Sequence, residues 1–278
     1  METLIHYYKT FPVVRYSTVV IILVSLCAAL LGVTLVLKRF SMIGDGLSHV
    51  AFGATAIAAA AGFAPMYIAL PITIGAAVLL LGARNSKIMG DAAIAMISAG
   101  ALAVGYLLLN LFPANASSIA GDACTTLFGS SSIIGIGISD VIICAVLAIL
   151  LLFIFIFFYH KLFAVTFDES FAEATGTKVR VYNTMLAAVT GVVIVLAMKM
   201  VGALLISALI TFPALSAMRV FKTFKRVVIC SAIISVACAM LGILICISAS
   251  TPIGPTIAVI NIFVFCGFFA TGKIIESR

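Results

Sequence analysis

Long apolar runs, separated by short polar or basic breaks, dominate the chain. They fall at about 16–37, 43–61, 63–83, 91–111, 133–159, 180–198, 201–218, 227–249 and 253–272. One membrane-spanning helix takes roughly 20 apolar residues. The pattern therefore predicts nine spans, or eight where a short junction marks a re-entrant or broken helix. The separators are Lys38-Arg39, Gly62, residues 84–90, a long polar loop at 112–132, residues 160–178, Lys199-Met200, residues 219–226 and residues 250–252. A transmembrane β-barrel is excluded, because its alternation would not leave apolar runs this long.

Composition agrees. Of 278 residues, 64% are hydrophobic and 9% charged, with mean hydropathy +1.35. A soluble domain averages about 45–50% apolar and about 25% charged, so neither a soluble globule nor a disordered chain fits. Nine spans with short loops use nearly the whole length, which predicts one all-α polytopic membrane domain over residues 1–278. Residues 1–12 read as an interfacial segment rather than a removed signal peptide. The chain contains no GxxxxGK[ST] phosphate loop; the nearest string, Gly176-Thr177-Lys178, lacks the spacing. Any nucleotide drive must then come from another chain. The seven cysteines are odd in number, form no CxxC, and lie mostly within apolar runs, so neither a disulfide framework nor a zinc knuckle is indicated.

Charge sets an orientation. With nine spans and an outside N-terminus, the inside segments hold Lys38, Arg39, Arg84, Lys87, Lys161, Lys178, Arg180, Arg219, Lys222, Lys225, Arg226, Lys273 and Arg278. The outside keeps Lys9, Arg15 and Lys199. Basic residues accumulate on the cytosolic side, so a cytosolic C-terminus is expected. The formal charge of +7 then faces anionic lipid rather than nucleic acid. Residues 112–132 become an extracellular loop. Residues 168–176 become cytosolic and read as a short amphipathic helix. Asp168 starts it, Glu169 and Glu173 share a face at i, i+4, and Gly176 stops it. Such a helix suits docking to a soluble partner.

The main candidate chemistry is Gly44-Asp45-Gly46-Leu47-Ser48-His49. On a helix, Asp45 and His49 are neighbours one turn apart. A carboxylate in a span costs a few kcal/mol unless it is paired or wet. A carboxylate and an imidazole can jointly hold a divalent transition ion. The same spacing also permits a self-satisfying hydrogen-bonded pair, or an Asp capping a helix start. Gly44, Gly46, Gly53 and Ala54 would let another helix approach closely. Asp91 reads as a helix cap, Asp140 as either pathway lining or an interfacial residue, and His160 as the C-terminal residue of the fifth span. A second unusual stretch runs from Val201 to Ala214. In it Pro213 breaks the helical ladder, Ser207 or Thr211 could re-satisfy freed carbonyls, and small groups could abut the Asp45–His49 helix.

Four stretches in order resemble the ABC-3 family of metal-ion ABC transporter permeases. They are Lys38-Arg39-Phe40-Ser41-Met42-Ile43-Gly44-Asp45-Gly46-Leu47-Ser48-His49, like the family's "S-hydrophobic-GDALSHA"; Leu127-Phe128-Gly129, like its "LFG"; Phe167-Asp168 through Ala172 to Gly176, like "D-x-x-x-A-x-x-x-G"; and Val201-Gly202 to Pro213-Ala214, like "VG-x-LL-x-x-ALL-x-x-PA". Leu215-Ser216-Ala217 departs from a common "ATA". The resemblance implies an importer permease in the bacterial cytoplasmic membrane. It would work as a homodimer with two cytosolic ATPase subunits, fed by an extracytoplasmic metal-binding protein. Asp45 and His49 would form a transient metal site. Asp168, Glu169, Ala172, Glu173 and Gly176 would form the coupling helix, and Gly44, Gly46, Ser48, Gly202, Ser207 and Pro213 would serve gating and helix packing. No cofactor would be bound permanently; the cargo would be zinc, with manganese or iron as alternatives, and ATP would sit on the partner. Rivals are a secondary transporter using Asp45–His49 as a proton relay, a membrane-embedded enzyme, which should cluster more His, Asp or Glu, and a bare scaffold.

Overall fold

A computed structural model describes residues 12–82, 90–112, 137–249 and 251–276. The predicted loop at 112–132 lies outside them from residue 113 onward, as do the Leu127-Phe128-Gly129 stretch and the N-terminal segment. Eleven helices make up the described chain. They are α1 (Pro12–Leu37), α2 (Ile43–Ala60), α3 (Pro65–Gly82), α4 (Gly90–Leu111), α5 (Ile138–Phe157), α6 (Tyr159–Phe167), α7 (Glu169–Ala174), α8 (Val179–Val201), α9 (Ala203–Val220), α10 (Phe224–Ala249) and α11 (Ile253–Glu276).

Among the described residues, each predicted apolar run corresponds to one long member of these eleven helices. Eight of these, all but α2, α6 and α7, are long and apolar enough to cross a membrane. At 18 residues α2 is as long as α3 and α9, but Asp45 and His49 dilute its apolar character. It lies within the bundle, with Ile43, Leu47, Ala51, Ala54 and Ala58 buried against α3, α4 and α9. Helix α1 is the other central element, packed on α5, α9 and α10. The outer helices turn large side chains outward: Leu79, Met96, Ile149, Ile156 and Phe263 are exposed, as lipid-facing residues should be. Small residues line the inner contacts, which lets helix backbones approach. A serine hydroxyl crosses between helices where Ser235 Oγ donates to Ser25 O at 2.9 Å.

Two junctions differ from the sequence expectation. Residues 160–178 are not one loop with one short helix, because α6 precedes α7 there. His160 therefore sits in the first turn of α6, not at the end of the fifth span. The break expected at Lys199-Met200 falls instead at Gly202, since α8 runs on through Val201. Gly202 alone separates α8 from α9, at φ 92° and ψ 156°. That backbone conformation is essentially restricted to glycine, so the residue type dictates where the chain turns.

Candidate functional site

Helix α2 begins after a tight connector. Lys38 N and Arg39 N extend the α1 ladder, Phe40 N donates back to Leu35 O at 2.9 Å, and Ile43 N donates to Phe40 O at 3.2 Å. Arg39 takes φ +63°, alone among the described non-glycine residues, a conformation that costs free energy in a residue with a Cβ. The N-cap is Met42, with no side-chain cap bond. Asp45 is thus the third helical residue, not the cap, and its charge lies in the first turn, where the helix dipole favours it.

Asp45 Oδ1 lies 3.6 Å from His49 Nε2, longer than a hydrogen bond. The two side chains are 45% and 19% exposed respectively. His49 Nδ1 is buried with no hydrogen-bond partner. The pair therefore does not satisfy itself, and an imidazole nitrogen is left with unused bonding capacity. Ser48 is buried, and its hydroxyl donates to Asp45 O at 2.7 Å, which ties it to the backbone of the same helix. Among the described residues no group of three or more His, Cys, Asp or Glu side chains could hold a metal ion. Two donors per chain can engage an ion while leaving most of its coordination open.

Glycines put this pair against two neighbours. A Cβ on Gly44 would lie 3.4 Å from Ser207 Cα and 3.0 Å from Ile210 Cδ1 of α9. A Cβ on Gly46 would collide with the Ile94 side chain of α4. The expected approach of the Ser207–Pro213 stretch to α2 is therefore present. Thr211 Oγ1 donates to Ser207 O at 2.8 Å, with Ser41 O of the connector at 3.4 Å, and Ser207 Oγ reaches Ala203 O at 3.4 Å. Pro213 removes the donor for Leu209 O, so neither hydroxyl serves the carbonyl that the proline frees. Their bonds go to earlier turns and to the connector.

Helix α7 forms as expected from sequence. Asp168 Oδ1 accepts from Phe171 N at 2.9 Å, an N-cap bond. Gly176 ends the segment at φ +83°. Ala172 is fully buried with Val165 and Val179, while Asp168, Phe171, Glu173 and Gly176 are exposed. Glu169 and Glu173 do not share one outward face. Glu169 turns inward, and Lys38 Nζ donates to its Oε1 at 2.7 Å. Lys38 also donates to Asn183 Oδ1 at 2.7 Å, and Asn183 Nδ2 donates to Glu169 Oε1 at 2.9 Å. Burial pushes the Lys38 ammonium below the usual lysine value, while the hydrogen bond and charge of Glu169 pull it back up. Lys38 and Asn183 were missed as partners because they lie 131 and 14 positions from Glu169; a lysine abutting the Asp45 motif was the available signal.

Asp140 caps rather than lines a path: its Oδ2 accepts from Gly137 N at 3.0 Å. Asp91 lies in the first turn of α4, and its side chain falls outside the described residues.

Eight helices long and apolar enough to cross a membrane, packed with the Asp45–His49 helix, mark a multi-pass membrane protein. The fold matches the solved structure described as PsaBC from Streptococcus pneumoniae in complex with Fab, at TM-score 0.81 and 26% identity, covering 95% of this chain and 94% of that one. Residues 10–272 match the ABC 3 transport family, and the chain belongs to that family. It is similar to the manganese import system permease protein ScaB of Streptococcus gordonii, 27% identical over 95% of this chain and 93% of that one. It is also similar to the high-affinity zinc uptake system membrane protein ZnuB of Haemophilus influenzae, 26% identical over 88% and 92%. The chain is thus a permease subunit rather than an enzyme, and ATP hydrolysis belongs to a separate chain.

Proposed function

We propose that this chain is the membrane permease of an ATP-driven importer for divalent transition-metal ions, with zinc as the cargo. The observation that carries the reading is the Asp45–His49 pair: Oδ1 and the imidazole Nε2 that faces it are 3.6 Å apart on a partly exposed helix face, too far for a hydrogen bond to each other and near enough to reach one ion. Imidazole with carboxylate suits zinc or manganese better than calcium or magnesium. Relatives named for manganese and for zinc stand at similar identity, 27% and 26%; the preference for zinc rests on His49, because imidazole suits zinc whereas manganese is suited by carboxylate and other oxygen ligands. A path through a membrane needs a site strong enough to accept an ion and weak enough to release it, and two donors on a partly exposed helix face meet that need.

In this reading the chain works as a homodimer, with its C-terminus cytosolic. A solute-binding protein delivers the ion from outside. Helix α7 is the coupling helix that seats in the ATPase, and its exposed Phe171 and Glu173 form the docking surface. Gly44, Gly202, Ser207 and Pro213 support the rearrangement that alternates access. The test is cellular metal content measured by element-resolved mass spectrometry. Cells carry the permease with its ATPase and delivery protein, as wild type, Asp45→Ala and His49→Ala, at matched expression. Zinc accumulation lost in both variants supports the proposal, and manganese accumulation instead would change the cargo. Equal accumulation in all three overturns the site, and accumulation without the ATPase would point to proton-coupled secondary transport.

A further inference from the structure

Helix α7 is only six residues long, and an apolar and a polar contact attach it to the bundle. One is apolar: Ala172 packs with Val165 of α6 and Val179 of α8. The other is the polar triangle of Lys38, Glu169 and Asn183, each pair joined at 2.7–2.9 Å. The apolar contact ties α7 to its sequence neighbours. The triangle ties it to the end of α1, 131 positions away.

Lys38 is the first residue of the connector that leads into α2, and Asp45 follows seven residues later. The connector has little slack. Arg39 is held at φ +63°, Ser41 O faces the Thr211 hydroxyl of α9 at 3.4 Å, and Gly44 abuts the α9 backbone at Ser207. The Lys38 side chain is 6% exposed and that of Glu169 29%. Replacing such a pair by apolar groups is often neutral for stability, whereas breaking it by removing one partner is costly. The arrangement therefore favours motion of α7 and the connector as one unit over separation of the pair.

We propose that Lys38 and Asn183 are positioning residues that transmit displacement of α7 through the 38–42 connector to the helix carrying Asp45 and His49. This rests on the reading of α7 as the coupling helix. The triangle would convert ATPase movement at one surface into a shift of the ion-binding helix, with the Thr211 and Gly44 contacts carrying α9 along.

The experiment uses the full transporter with its ATPase and delivery protein in proteoliposomes, measuring zinc imported per ATP hydrolysed. The ratio is read on complex that has been re-purified with its ATPase bound, so that unfolded permease and free ATPase do not enter it. Lys38→Met is expected to co-purify with the ATPase and to hydrolyse ATP, but to lower the ratio at least tenfold. Lys38→Arg, which keeps the charge and donors, is expected to restore most of it. If Lys38→Met does not fold, Asn183→Leu reads the same ratio, with a smaller loss expected. A wild-type ratio in Lys38→Met or, failing that, in Asn183→Leu overturns the relay. So does loss of ATPase association in these variants, which would leave the triangle only holding α7 in place. Phe171→Ala separates the underlying reading: if it leaves ATPase association intact, the docking role of α7 fails, whatever the ratio in the Lys38 variants.

Discussion

Gly53→Ala should separate α2 from α4, and the structure gives the size of the effect. A Cβ at Gly53 would lie 2.6 Å from Ala101 O, 3.2 Å from Ala101 C and 3.4 Å from Ala101 Cα. These are backbone atoms of α4, so no rotamer change relieves the contact. Across the same crossing, a Cβ on Gly105 would meet Gly53 Cα at 3.1 Å; the two glycines pack reciprocally. Ordinary contact begins near 3.4 Å, so the helices must part by roughly 0.8 Å, and overpacking of this kind costs about 1–3 kcal/mol. Alanine also gains up to about 1 kcal/mol over glycine in helix propensity, which would mask part of the loss.

Gly100→Ala on α4 removes that ambiguity, because a Cβ there has nothing within 4 Å. Both substitutions carry the same propensity gain, so the difference between them isolates the clash. Melting can be followed with a thiol-reactive fluorophore, since Cys27, Cys144 and Cys238 are buried and become reactive on unfolding. At about 2–4 °C per kcal/mol, Gly53→Ala should melt several degrees below Gly100→Ala. Gly53 lies one turn beyond His49 on the same side of α2, so metal uptake should fall with it. Equal melting temperatures would refute the close crossing.

The two glutamates of α7 should behave differently. Glu169→Lys places a second cation against Lys38 and should destabilise by about 3 kcal/mol, the low end for a buried pair because Glu169 is part-exposed, read as a lower melting temperature, whereas Glu173→Lys on the exposed side should lower melting less and weaken co-purification of the ATPase. Asp168→Ala removes the N-cap bond to Phe171 N and should cost about 1 kcal/mol, seen as faster amide exchange at Phe171 with the bundle unaffected. Ser235→Ala leaves Ser25 O without its interhelical donor and should lower stability by about 1 kcal/mol in the same melting assay; no change would assign that packing to apolar contacts alone.

What the sequence revealed of this molecule follows the range of the interactions involved. Spans were legible because length and hydropathy are properties of one segment. The start and stop of α7 were legible because Asp168 reaches only to Phe171 and Gly176 acts through its own φ. The partner of Glu169 was not legible: i, i+4 spacing placed it beside Glu173 facing outward, and only the three-dimensional approach of Lys38 and Asn183 turns it inward. The hydroxyls of Ser207 and Thr211 show the same limit. Their local bonds could be anticipated, but the contact of Thr211 with Ser41 O spans 170 positions.

The same distinction explains why α2 is the helix that falls short as an apolar span. A helix carrying a carboxylate and an imidazole is poor at dissolving in lipid on its own. It is stable in the bundle because α3, α4 and α9 enclose its remaining faces, and because glycines at 44, 46 and 53 let those neighbours close around it. Substitutions that loosen the enclosure should therefore lower ion binding and stability together. Lys38→Met and Asn183→Leu, whatever they cost in stability, should separate transport from ATP hydrolysis in the folded complex, because they leave the enclosure of Asp45 and His49 intact.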